Sequence, residues 1–66
     1  LAFSGDLTIY DSLGQPVRQL GTHPAGARQL RWDGHDDSGQ AVASGVYLAV
    51  VRSASQRRIA RLVLLR

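Results

Sequence analysis

An all-β fold, a sandwich or barrel of short strands, is what this sequence predicts. Apolar residues alternate with polar ones at a period of two in several short stretches. Glycine, proline, aspartate and serine break the chain between them every several residues. Only one segment carries a helical spacing. Short strands separated by such turns must pack sheet on sheet or close on themselves to bury their apolar faces.

In chain order, LTIYD (7–11) sets Leu7 and Ile9 against Thr8 and Tyr10, the alternation of a half-buried strand. SLGQP turns the chain, with Gly14 free to take a positive φ and Pro16 fixing the exit. PVRQL (16–20) is a weaker strand. Val17 and Leu20 fall on opposite parities, which predicts a bulge or an early end. GTHPAG (21–26) reads as loop. ARQLRW (27–32) alternates again, with Leu30 and Trp32 on one face. VYLAVVRS (46–53) is apolar at both parities, as a central strand is. ASQ turns, and RRIARLVLLR (57–66) closes the chain as a strand. In that last segment Ile59, Leu62 and Val63 also fit a helical stripe. Leu64 and Leu65 widen it beyond use, and the strand reading is preferred. No internal repeat, low-complexity tract or interdomain linker stands out. Trp32, Tyr47, Leu7, Ile9, Leu30, Val51, Leu62 and Leu64 are the expected core.

The chain has 66 residues, one domain's worth, and no cysteine to form a disulfide or a thiolate metal site. A chain this short buries only about 60% of the surface its unfolded form exposes. Well-paired strands, or neighbouring polypeptide, must therefore supply its stability. It begins with Leu1, as one module of a longer protein would. No apolar run approaches the ~20 residues that span a bilayer as a helix, so membrane insertion is not expected.

Charge is unevenly laid out. Residues 1–37 carry three arginines and five aspartates, a balance of −2; residues 38–66 carry five arginines and no acid, a balance of +5. The basic half favours anionic partners. Nucleic acid is the poorer fit among these. A single-strand binder displays aromatic rings beside its arginines, and of four aromatic residues Trp32 and Tyr47 are assigned to the core.

RWDGHDDSGQAVASGVY (31–47) concentrates Asp33, Asp36, Asp37, His35 and Ser38. Asp33, Asp36 and Asp37 are weak candidates for a metal site. The alternating aspartates of a calcium loop and its closing glutamate are absent. Acid, base and hydroxyl are all present, but bunched in one loop, whereas a catalytic triad converges from separate elements around a cleft. No catalytic residue and no cofactor is assigned. A structural role accounts for more. Aspartate side chains accept backbone N–H bonds one or two residues on, and every aspartate of the chain lies at or beside an expected turn. Asp37-Ser38-Gly39 reads as a tight turn, and Ala43-Ser44-Gly45 as the bend into the next strand. His23 and His35 read as exposed loop residues. On this reading the stretch redirects the chain between sheets, with Trp32 as its apolar anchor.

LTIYDSLGQPVRQL, the WDGHDDSGQAVASGVYLAVV block and the closing RLVLLR together resemble the FlgD Ig-like domain, over about residues 7–66. Tyr10 and Asp11 match the family's Y-D, and Gly14 its turn glycine. Trp32, Asp33 and Gly34 match its W-D-G, and Gly45, Val46 and Tyr47 its G-v-Y. The resemblance implies a small immunoglobulin-like sandwich in which these residues, with Gly39, are structural. The family is named for the flagellar hook-capping scaffold protein. Similar modules end many secreted bacterial proteins, including type IX secretion cargo, where they act as sorting domains. It therefore implies a non-catalytic module, extracellular or on the cell surface, sorting or anchoring a secreted protein. The alternative it implies is a structural subunit of an extracellular assembly built by β-strand addition. Family members usually begin with a further strand, of which only LAF (1–3) can be the tail here. The expected sandwich thus lacks or borrows its first edge strand. The expected partners are other domains of the same polypeptide or neighbouring subunits at an open edge, and secretion machinery. Arg57, Arg58, Arg61 and Arg66 form the candidate interaction surface.

Overall fold

The computed structural model describes residues 4–26 and 31–65. Four strands form: β1 (Gly5–Asp11), β2 (Pro16–His23), β3 (Gly45–Arg52) and β4 (Arg57–Leu64). They make one sheet in the order β2-β1-β3-β4, with every neighbouring pair antiparallel. The all-β expectation holds. Of the segments expected to build a second layer, residues 1–3 and 27–30, and with them Leu30, lie outside the described residues. Among the described residues, the layer facing the sheet is loop.

Register gathers the core on one face. Leu7 pairs with Val51 and Ile9 with Ala49 across β1 and β3; Ala49 pairs with Ala60, and Tyr47 with Leu62, across β3 and β4. Leu7, Ile9, Tyr47, Ala49 and Val51 form the buried cluster, and Ile9 is fully enclosed. Val17, Leu20, Trp32, Val42, Leu62 and Leu64 pack against it, partly buried. Ala49 goes unannounced in the sequence because a small residue gives little apolar signal. It is buried because it lies between Ile9 and Ala60 at the sheet's centre.

The parity conflict in β2 is resolved by two bulges. The β1–β2 register shifts between Leu7 and Thr8 and again between Ile9 and Tyr10. Leu20 and Val17 are the residues skipped, one at each shift. An extra residue in one strand reverses side-chain parity beyond it, so both reach the core side. The strand then runs beyond the expected end at Leu20. Gly21, Thr22 and His23 pair with Leu7, Asp6 and Gly5, so the first half of the expected 21–26 loop is strand. Asp6 corrects another expectation: it sits within β1, paired with Thr22 and Arg52, rather than at a turn. At the other end, β4 stops at Leu64.

The opposite face is mixed. Across β1, β3 and β4 it carries rows of Asp6–Arg52–Arg57, Thr8–Val50–Ile59 and Tyr10–Leu48–Arg61, then Val46–Val63. Val50 is buried there, while Ile59 and Val63 are 54% and 62% exposed. Tyr10 is half-buried on this face, away from the core.

Because β3 adjoins β1 rather than β2, the chain leaving β2 must cross over β1 to reach its place. That crossover contains the aspartate-rich stretch.

Candidate functional site: the aspartate-rich crossover

Arg31 and Trp32, expected at the end of a strand, are outside any strand. Trp32 instead folds its ring under its own loop. Its Nε1–H donates to the His35 carbonyl at 2.9 Å, and its ring meets that of Tyr47 edge-on, with centroids 5.0 Å apart and planes at 69°. The Tyr47 hydroxyl donates to the Ala43 carbonyl at 2.6 Å. Both aromatic residues therefore join the apolar core to the crossover backbone. Gly34 is buried beneath this arch, and its carbonyl accepts the Val42 N–H at 3.0 Å.

Between Gly34 and Val42 the crossover is a miniature hairpin, closed by a bridge of His35 with Ala41. At its tip the Asp36 carbonyl accepts the Gly39 N–H at 3.0 Å, and the Asp36 N–H donates to the Gln40 carbonyl at 2.9 Å. One side-chain oxygen, Oδ1 of Asp36, accepts the N–H groups of Ser38 and Gln40 at 3.0 Å each and the Ser38 hydroxyl at 2.7 Å. The β1–β2 turn is built the same way. Asp11 Oδ1 accepts the N–H groups of Leu13 and Gln15 at 2.9 Å each. The Asp11 carbonyl accepts the Gly14 N–H, and the Asp11 N–H donates to the Gln15 carbonyl. Gly14 and Gly39 take φ of 83° and 87°, where a Cβ is strained. Both turns share the pattern D-x-x-G-Q, at 11–15 and 36–40. The chain therefore does hold an internal repeat, five residues long and so too short to show as a repeated domain.

Arg18 of β2, half-buried, clamps this hairpin to the sheet. Its Nη1 donates to the carbonyls of His35 and Asp36 at 3.2 and 3.3 Å and lies 3.5 Å from Asp33 Oδ1; its Nε lies 3.9 Å from Asp37 Oδ1. Asp37 completes the clamp. Its N–H donates to the Val17 carbonyl at 3.1 Å and its Oδ1 accepts the Gln19 N–H at 3.0 Å. The outer edge of β2 is thereby bonded to the loop at Val17 and Gln19. Sequence reading passed over Arg18. Its place opposite the fully buried Ile9, between the two bulge residues Val17 and Leu20, shows only in the register.

The three weak metal candidates diverge. Asp33 Oδ1 accepts the His35 N–H at 3.0 Å, Asp36 turns inward on its own turn, and Asp37 faces β2. Among the described residues, no three His, Cys, Asp or Glu side chains are grouped to hold an ion. The triad-like residue types do not form a relay. The Ser38 hydroxyl bonds Asp36, and His35 Nδ1 lies 3.0 Å from the Asp33 carbonyl oxygen. His23 is in β2, opposite Gly5. Asp33 is held below the ordinary carboxylate value, chiefly by the His35 N–H and then by Arg18. Asp36 is likewise lowered, first by the Ser38 hydroxyl and then by the Gln40 N–H. These shifts mark ionised turn carboxylates. Gly45 opens β3, and Arg57, Arg58 and Arg61 stand exposed on β4, while Arg66 lies outside the described residues.

No match is found among curated proteins or among solved structures. The family model of the FlgD Ig-like domain matches residues 2–57, which takes in β1 to β3, the crossover and the first residue of β4. With W-D-G at 32–34 anchoring the crossover and G-V-Y at 45–47 opening the central strand, the chain belongs to the FlgD Ig-like domain family.

Proposed function

We propose that this domain is a non-catalytic structural module of a bacterial extracellular assembly, related to the hook-capping scaffold of the flagellum, and that it holds neighbouring polypeptide. One observation carries the reading. The side chains of the crossover that can do chemistry, Asp33, Asp36, Asp37, Ser38 and His35, are engaged with its own backbone, with one another or with Arg18 and Gln19 of β2. A family of structural, non-enzymatic domains is consistent with that use of polar groups. Crosslinking in cells that produce the parent protein tests it. A structural module gives crosslinks to a neighbouring subunit or domain at the surface. Crosslinks confined to cytoplasmic proteins overturn it.

Sorting is the second reading. Its support is the group of arginines on β4, Arg57, Arg58 and Arg61, which enter no ion pair among the described residues. A reporter fused ahead of residues 1–66 in a host with type IX secretion should reach the surface if it holds. A reporter kept in the periplasm refutes it.

A further inference from the structure

The two edges of the sheet are unlike. The β2 edge is broken by two bulges and occupied by Asp37, bonded to Val17 and Gln19. β4 is eight residues long and pairs residue for residue with β3 from Arg57 to Leu64, with no register shift. Among the described residues, β4 pairs with β3 alone. A regular, unshielded strand is a template for another strand. Beside it the core face holds a cavity of about 410 Å³, with Leu7, His23, Ala49, Val51, Arg58 and Ala60 among its lining residues. The facing alanines, Ala49 and Ala60, leave room there for larger side chains.

Charge decides what such a strand must be. Arg57, Arg58 and Arg61 lie on β4, and no acid follows Asp37 in the chain. The ion pairs among the described residues belong to Arg18 and His35 and leave these arginines out. A second copy fits poorly. Antiparallel pairing of β4 with itself about Arg61 puts that guanidinium beside its twin. Pairing about Ala60 still brings six like charges onto one joint. Like charges directly opposite destabilise a strand pair, and opposite charges stabilise it.

We propose that the β4 edge takes up an extended acidic strand from a partner, with glutamate or aspartate alternating with apolar residues. The apolar side chains enter the cavity beside Ala60, and the carboxylates line up with Arg57 and Arg61 on the other face. The inference rests on the structural-module reading and adds to it the edge used and the chemistry of the partner. The same arginines that keep copies apart then select the strand that is accepted.

The test uses the 66-residue chain and two eight-residue peptides, one alternating Val with Glu and one alternating Val with Lys. Calorimetry measures affinity, and amide hydrogen exchange locates the contact. The expected result is at least tenfold tighter binding of the Glu peptide, weakened by salt, with new protection on the β4 amides. The variant R57E/R61E, at two exposed positions, should keep its thermal unfolding and reverse the preference. Equal binding of both peptides, or protection elsewhere than β4, overturns the proposal. So does concentration-dependent self-association that protects β4; that outcome leaves the structural-module reading standing, because the occupant is then a second copy. A β4 edge that neither binds nor self-associates overturns the proposal too, and crosslinks to a surface neighbour would still support the module without it.

Discussion

Trp32→Ala removes the piece that joins the crossover to the sheet, and its magnitude can be worked from the contacts. Roughly half of an indole's ~200 Å² leaves water on folding, worth about 2.5 kcal/mol at ~25 cal/mol per Å². The edge-on contact with Tyr47, at 5.0 Å, adds about 1 kcal/mol. The Nε1–H bond to the His35 carbonyl adds about 1 kcal/mol net, since Arg18 still serves that carbonyl. The total is about 4.5 kcal/mol, inside the ~3–5 kcal/mol range for aromatic truncation. A domain of this size is stable by roughly 3–10 kcal/mol, so the variant should lose close to half of its stability at the upper end of that range and all of it at the lower. Trp32→Phe keeps most of the ring and loses the N–H, and should cost about 1–2 kcal/mol. Each kcal/mol moves the midpoint by about 4–8 °C in so small a domain. Thermal melts followed by far-ultraviolet circular dichroism measure both variants, with no need of the tryptophan signal. If Trp32→Ala melts cooperatively within about 5 °C of the parent chain, the indole is not the anchor and the account of the crossover fails.

Gly14→Ala and Gly39→Ala each place a Cβ at a φ above 80° and should each cost about 1 kcal/mol, measured by urea unfolding; a loss at one turn alone would break their equivalence. Gly5→Ala should cost about 1–3 kcal/mol in the same assay, because its Cβ would stand 2.5 Å from the Arg52 carbonyl oxygen; an unchanged midpoint would refute that. Acid should weaken the domain. Asp33 and Asp36 are held below the ordinary value of 3.8 in the folded chain, so their contribution is complete above that value and is lost as pH falls through the lower folded values. Melts from pH 6 to pH 2 should show the decline, with a shallower slope in Asp36→Asn; identical slopes would remove Asp36 from the effect.

The strands were legible where period and burial agree. Leu7 and Ile9 alternate with Thr8 and Tyr10 in the sequence and in the sheet, and the run apolar at both parities, 46–51, is the central strand β3, with Val50 buried on one face and Tyr47, Ala49 and Val51 on the other. The bulges in β2 were legible as a conflict, Val17 against Leu20, though only the register shows that both residues are skipped. Other features depend on contacts far apart in the chain. Thr22 and His23 look like loop because nothing local reveals that Asp6 and Gly5 wait to pair with them. Arg18 lies 17 and 18 residues from the carbonyls it holds, and no spacing rule reaches that far. The D-x-x-G-Q repeat was in plain view at 11–15 and 36–40. It was missed because a five-residue likeness carries little weight until both copies show the same four hydrogen bonds.

Those bonds bear on function through what they close. Asp37 follows Asp36 in the second copy, so the turn that Asp36 sets also delivers Asp37 to the outer edge of β2. The first copy, at Asp11, makes an ordinary connection between β1 and β2. One turn design thus serves twice, once to join two strands and once to shield an edge. Among the described residues no comparable loop reaches β4. Its protection is electrostatic instead, through Arg57, Arg58 and Arg61. Backbone capping excludes every incoming strand, whereas charge excludes only strands of like sign. With β2 bonded to its own crossover at Val17 and Gln19 and β4 edged by arginines, the extension we propose is at β4, and its charge calls for an acidic strand.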